Sequence, residues 1–295
     1  MALSDLPIGR LAPEELPDAE ALVAEAGWNQ VGVDWRIFLE RGTVYAVRSP
    51  SPAGKVGAGR REGTRVIATA ATLPYGRCAW ISMVLVTAAH RRRSIATRLL
   101  HRCIADITAA GLVPVLDATP AGRAVYAPLG FKEAWSFTRL TAQQRAALQP
   151  DGGAVQPITD AVWPALCAYD ADVFGADRSA VLARMRGRLP QANLFTECAG
   201  RITGLLLGRD GRTAAHLGPL IAEDDATARA LLAAGLEAID GPVYLDLADA
   251  KTALRGLLEA SGFAAQRPFT RMLLGRKAGL DDTRRTFAVI GPEFG

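Results

Sequence analysis

Residues 83–100, MVLVTAAHRRRSIATRLL, place Arg91, Arg92 and Arg93 between a run of apolar strand formers and the start of a helical pattern. A strand that feeds a loop from which a helix begins at once leaves several amide N–H groups without an internal acceptor. Those donors, the positive end of the helix dipole and the guanidinium groups together make an anion site, and a pyrophosphate suits it. Alone, a short basic run is more often a solvated turn; the strand, loop and helix order shifts the balance to the anion site.

The elements that hold this segment occur twice. Leu99 and Leu100 match Leu231 and Leu232, Gly130 and Phe131 match Gly262 and Phe263, and Phe137, Thr138 and Arg139 match Phe269, Thr270 and Arg271, always 132 residues apart. The same spacing relates Gly76 and Arg77 to Gly208 and Arg209, and Asp117 to Asp249. A repeat at constant spacing predicts two copies of one fold. Upstream, ELPDAEAL from Glu15 resembles VWPALCAY from Val162 at a different spacing, so the first copy carries extra residues, assigned to the Pro/Gly-rich loop at 49–63. A connector over 141–154 divides the chain into 1–145, 150–276 and a C-terminal tail, 277–295, whose apolar end TFAVIGPEFG is expected to dock in a groove.

In the first copy, IGRLA, TVYAVR, TRVIATAATL, CAWISMVLV, LVPVLDA and FKEAWSFTRL read as strands. CAWISMVLV is apolar on both faces and belongs at the centre of a sheet. Helices are expected over 13–26, 33–40, 94–111 and, briefly, 122–130; the third shows Ile95, Leu99, Cys103 and Ile107 every four residues. The second copy repeats the order with RITGLLLG, TAAHLGPLIA, a helix over 226–239, PVYLDLA, a helix over 251–262 and a strand through RPFTRMLLG. The fold class expected is α/β, with mixed sheets.

With Arg91, Arg92, Arg93, Ser94, Ile95 and Ala96 in that setting, the segment resembles the cofactor motif of the GNAT acetyltransferase superfamily: Gln or Arg, two residues, Gly, one residue, Gly or Ala. Ser94 stands where the family has Gly; it could cap the helix or donate to a phosphate oxygen. The resemblance implies a tandem GNAT protein using acetyl-CoA as acyl donor, bound by residues 91–97, Thr97 included, and by the backbone of Val84, Leu85 and Val86. An amide of that strand would polarise the thioester carbonyl. It implies acetyl transfer to a primary amine of a small molecule, or of a peptide, by direct attack.

LDATPAGRAVYAPLGF resembles the family's closing helix, in which a tyrosine four residues before Gly-Phe protonates the departing thiolate; Tyr126 holds that position, with packing under the sheet as the alternative. For the general base, Asp117 is the first candidate, with His90 or a water chain as others; Asp117 could equally cap the following helix, and Asp249 at its matched position favours that. Acceptor contacts are expected from Trp28, Asn29 and Asp34 in GWNQVGVDW, with core packing as the alternative for Trp28 and the reading for Trp35.

In the second copy the spacing puts Glu223, Asp224 and Asp225 opposite the three arginines, and Leu258 opposite Tyr126. Acids there suit the helix but repel pyrophosphate, so this copy is expected to be degenerate. Asp170, Asp172, Asp177 and Arg178 resemble part of a tandem GNAT second half and would either attract a basic substrate or cap the helix from Ser179.

A formal charge of +4 over 295 residues, with the arginines in one turn and no interleaved aromatics, disfavours a nucleic-acid partner. No apolar run reaches membrane-span length and no secretory signal opens the sequence, so a cytoplasmic protein without a membrane partner is expected; a homodimer is compatible with it. Cys78, Cys103, Cys167 and Cys198 are scattered, predicting reduced, buried thiols and no metal. The alternative function is a catalytically silent acyl-CoA-binding regulatory module.

Overall fold

The computed structural model describes residues 6–50, 64–150 and 153–295. The 49–63 loop assignment therefore falls outside the described residues except at Ser49 and Pro50, which close a strand. Two compact units result, Met1–Val115 and Leu116–Gly295.

The first unit contains β1 (Ile8–Arg10), α1 (Leu16–Glu25), α2 (Gly32–Arg41), β2 (Thr43–Pro50), β3 (Thr64–Tyr75), β4 (Cys78–Val86), α3 (Ile95–Ala109) and the start of β5 (Val113–Ala118). Its strands run in the order β1-β2-β3-β4-β5, antiparallel until β4 meets β5 in parallel. The doubly apolar β4 is central, as its composition requires. On α3, Ile95, Leu99, Leu100, Cys103 and Ile107 are buried along one face that packs on β3 and β4. In α2, Trp35 and Phe38 are buried edge to face at 6.4 Å, which makes Trp35 core.

The second unit continues with α4 (Pro120–Tyr126), β6 (Phe131–Ala142), β7 (Val155–Pro157), α5 (Trp163–Phe174), α6 (Ser179–Met185), β8 (Leu194–Cys198), β9 (Arg201–Arg209), β10 (Ala215–Ala222), α7 (Asp225–Glu237), β11 (Val243–Ala248), α8 (Thr252–Ala260), β12 (Ala264–Leu274) and β13 (Thr286–Ala288). The order is β12-β6-β11-β13-β10-β9-β8-β7, and only β10 and β11 are parallel. β6, the last strand of the first copy in sequence, lies between β11 and β12, paired with β12 along nearly all its length and with β11 through residues 137–142. This is why the compact units part at Val115, upstream of the connector: both edges of β6 are satisfied inside the second unit. Leu140 and Ala142 of β6 join Leu217, Leu220, Leu231, Leu245, Leu247, Phe287 and Ala288 in one core.

All four cysteines are free, but only Cys78 and Cys103 are buried. Cys167 is half-buried, and Cys198 is exposed at the tight β8–β9 turn, which corrects the expectation of four buried thiols. Among the described residues, no helix is long and apolar enough to cross a membrane.

The second unit buries a row of charges. Arg139 forks onto Asp246 through Nε and Nη2 at 2.8 and 2.7 Å, and His216 Nε2 lies 3.1 Å from the same carboxylate. Arg209 meets His216 Nδ1 at 3.1 Å and pairs with Glu293. Burial alone would raise the Asp246 carboxyl; the Arg139 charge and fork, with His216 beside the carboxylate, outweigh it and hold the group well below the usual carboxylate range, while burial pushes the His216 imidazole itself down. Removing one partner leaves a buried charge uncompensated, so Arg139→Met should cost about 3–5 kcal/mol, read as a lowered urea midpoint at neutral pH. In the wild type the Asp246 contribution is full above about pH 4, its unfolded value, and is lost as pH falls through the depressed native value; urea midpoints taken down the acid limb check the sign.

Candidate functional site

β4 pairs with β5 only through residues 78–80 opposite 113–115. Beyond Trp80, β4 keeps its partner β3 on one side, and Met83, at φ 52°, puts a bulge in that ladder between Ser82 and Leu85. Thr87 N–H donates to the Ile67 carbonyl at 2.9 Å, and Leu85 stands opposite Thr69 in the same register. Residues 85 and 87 thus bond to β3, and Val86 between them directs its amide and carbonyl to the other side. The Val86 carbonyl accepts from Arg91 Nε at 3.1 Å. Its amide faces the edge that β5 has left.

The loop from Thr87 to Ser94 is eight residues long, with Arg91, Arg92, Arg93 and Ser94 exposed. Arg92 (φ 59°) and Ser94 (φ 58°) are both left-handed. That is the conformation for which glycine is the usual residue, and the physical reason for Gly at the position Ser94 holds in the motif it resembles. Ser94 makes no side-chain cap hydrogen bond, so of the two roles its sequence allows, capping is not taken up. Arg98 N–H is the first to find a helical acceptor, the Ser94 carbonyl at 3.0 Å. The amides of Ile95, Ala96 and Thr97 therefore point from the helix start without intrahelical partners, below a left-handed turn of the kind that forms anion-binding nests. This backbone fits a pyrophosphate.

Sequence reasoning missed Glu25. Its carboxylate accepts from Thr87 Oγ1 at 2.8 Å and from the Ala88 amide, tying the end of α1 to the strand–loop junction. The Ala88 hydrogen bond, with help from Thr87 and Arg91, holds the Glu25 carboxyl below its ordinary value. A readable signal existed: an acid at the last position of a helix opposes the dipole and needs a donor elsewhere.

Tyr126 ends α4, half-buried, with its ring 6.1 Å from that of Phe131; burial pushes its phenol above the ordinary value. Gly122 makes room for it, since a Cβ there would lie 2.9 Å from Tyr126 Cε2. The cap of α4 is Thr119, whose Oγ1 accepts from Gly122 N–H at 3.2 Å, so Asp117 is not the cap. The Asp117 side chain is fully buried, and both its oxygens accept from Arg271, from Nε and Nη2, at 2.9 Å. Arg271 also bonds Asp281 at 2.6 Å. Burial, with the added repulsion of Asp281 and Asp246, pushes the Asp117 carboxyl up to about 6 against the pull of Arg271.

Of the expected acceptor residues, Trp28 is half-buried at the α1–α2 turn and Asn29 is buried. Asp34 is fully buried and accepts from the Val31 amide at 2.9 Å, so its carboxylate serves the start of α2. His90 is half-buried, with Nδ1 lacking a partner among the described residues. In the second copy, Asp170 is buried in a fork with Arg178, Asp172 holds Arg285 at 2.7 Å, and Asp177 accepts from Ser179 N–H at 2.8 Å. All three acids have intramolecular work.

The 132-residue spacing relates α3 to α7, β5 to β11, α4 to α8 and β6 to β12, but it does not survive the hairpin before α7. Gly76 and Arg77 form the β3–β4 turn, whereas Gly208 and Arg209 end β9. Only Glu223 and Asp224 separate β10 from α7, and Asp224 caps that helix, accepting from Thr227 N–H at 2.8 Å. The eight-residue basic loop has no counterpart there.

Residues 30–131 match the family model described as Acetyltransferase (GNAT) family, and residues 166–288 match Acetyltransferase (GNAT) domain. The chain is 23% identical over 261 residues to a Bacillus subtilis protein described as an uncharacterized N-acetyltransferase, YitH, with 86% of each covered. In fold it resembles a putative acetyltransferase from Pyrococcus horikoshii (TM-score 0.75, 17% identity, 98% of this chain and 96% of that one). It also resembles a tandem GNAT protein from the clavulanic acid biosynthesis pathway (TM-score 0.61, 15% identity, 94% of this chain and 100% of that one).

Relieving the left-handed strain at Ser94 should stabilise the loop. Ser94→Gly is expected to raise stability by about 1 kcal/mol and Ser94→Val to lower it by more than that, both read from denaturant midpoints.

Proposed function

Because the chain belongs to the GNAT acetyltransferase family, with two GNAT domains in tandem, we propose that it moves the acetyl group of acetyl-CoA to a primary amine of a small molecule or peptide. The observation that carries this is the β4–α3 junction: an amide-rich, left-handed turn under three arginines, at the end of a strand whose Val86 backbone faces an unpaired edge. Acetyl-CoA supplies a thioester; the amine nitrogen bonds to its acyl carbon as the carbon–sulfur bond breaks, the amine loses a proton and the thiolate gains one.

In this reading the amides of residues 94–97, with Arg92 and Arg93, hold the pyrophosphate, and the backbone of Val84, Leu85 and Val86 takes the acyl-bearing arm. The resemblance assigns Tyr126 as the proton donor to sulfur. Burial pushes its phenol above the ordinary value, which favours the protonated form that role needs. Trp28 is the proposed wall for the acceptor. Asp117 is not carried forward as the base, because using its carboxylate would strip a buried arginine of its fork.

Tyr126→Phe should lower kcat by about 10²- to 10⁴-fold while leaving acetyl-CoA affinity unchanged, measured by free-thiol release across a panel of amines and by calorimetry. The Arg91, Arg92, Arg93 triple alanine variant should weaken acetyl-CoA binding at least about tenfold. Undiminished affinity in that variant would remove the cofactor assignment. A wild type that binds acetyl-CoA and acetylates no amine would be a binding module instead.

A further inference from the structure

The parallel pair β10 and β11 diverges just as β4 and β5 do: its ladder covers residues 215–217 opposite 243–245 and then stops. Here the gap is filled. β13 enters between the two strands, with Ala288 opposite Leu220 on one side and opposite Leu247 on the other, and Thr286 opposite Ile221. Arg285 accepts from Ala222 N–H at 3.0 Å, and Val289 N–H donates to the Asp246 carbonyl at 3.1 Å. The backbone groups that the diverging strands would expose are thereby satisfied from within the chain.

The segment is seated along its length. Phe287, Ala288, Val289, Ile290 and Phe294 are buried, and the buried Glu293 pairs with Arg209 of β9. Arg178, itself forked onto Asp170, reaches the Gly295 carbonyl. Gly218 of β10 lies so close that a Cβ there would stand 2.0 Å from the Val289 carbonyl oxygen. At the far end of the gap, the two-residue link to α7 offers an anion only Glu223 and Asp224, and Asp224, held below the ordinary carboxylate value by the Thr227 amide, already occupies the helix start.

We propose that residues 286–295 are a built-in occupant of the slot which, in the first copy, β4 leaves open for an acyl-CoA arm, so that each chain takes up one acyl-CoA and the second copy is a closed domain. This deepens the functional reading above and rests on it for the identity of the ligand. The occupancy itself rests on strand pairing and burial.

The test combines acetyl-CoA calorimetry with hydrogen exchange on the full chain. The expected results are one equivalent bound per chain and slow exchange at Ala288 and Val289 with or without acetyl-CoA. Two equivalents, with acetyl-CoA accelerating exchange at those amides, would overturn the proposal, as would free-peptide exchange over residues 286–290 in the unliganded protein. Gly218→Ala should accelerate exchange over 286–290 and lower the melting temperature; unchanged exchange in a folded Gly218→Ala protein counts against the seating described. If the triple arginine variant keeps its affinity while residues 288 and 289 stay protected, the functional reading fails and the occupancy of the slot stands.

Discussion

A parallel strand pair that diverges must have its backbone donors and acceptors satisfied by something other than the departing neighbour. Much of this molecule follows from that requirement. β4 meets it on one side with β3 and turns the Val86 amide to the other. β10 and β11 meet it with a third strand drawn from the same chain. Similar halves thus have opposite characters, one left with unspent hydrogen-bonding capacity and the other saturated.

The buried charges belong to the same requirement. β6 and β13 come from distant parts of the sequence, and an apolar strand entering a ready-made sheet has few means of choosing its register. Arg139 on β6 finds Asp246 on β11, Arg271 on β12 finds Asp117 on β5, and Glu293 after β13 finds Arg209 on β9. Such pairs add little net stability over apolar packing, but a register shifted by one residue would strand each charge in the interior. Specification of pairing is the better account of why these arginines are inside.

Local features were legible in the sequence. The strand CAWISMVLV was delimited to the residue because its apolar, β-branched run is bounded by a Gly-Arg turn and an Ala-Ala-His loop; the buried face of α3 was visible in its period. Tyr126 and Ser94 stand out in the sequence by resemblance to motif positions, and the three arginines by their place between a strand and a helix. What stayed hidden depends on tertiary placement. Nothing in FKEAWSFTRL says it will pair with residues more than 100 positions later, and nothing in TFAVIGPEFG names β10 and β11 as its neighbours. The bulge at Met83 is imposed by the ladder rather than by methionine. Asp34 looked available for a substrate because an acid beside tryptophans does, yet its distance from Val31 was also that of a helix cap. The constant spacing between the copies conceals a real difference: the turn before β10 is longer than that before β4 and the link after it is shorter, so Gly208 and Arg209 match Gly76 and Arg77 in sequence without matching them in place.

The position of β6 has a consequence for how the chain is made. β6 ends at Ala142, and the strands that flank it, β11 and β12, begin at Val243 and Ala264. During synthesis at about 5–20 residues per second, β6 waits several seconds or more with both edges uncovered until its neighbours emerge. Pairings across so long a loop also form late, because the entropy of closure is lost before any contact is gained. The connector after β6 is therefore a poor place to divide the gene: a polypeptide ending there would carry an aggregation-prone strand with no sheet to join.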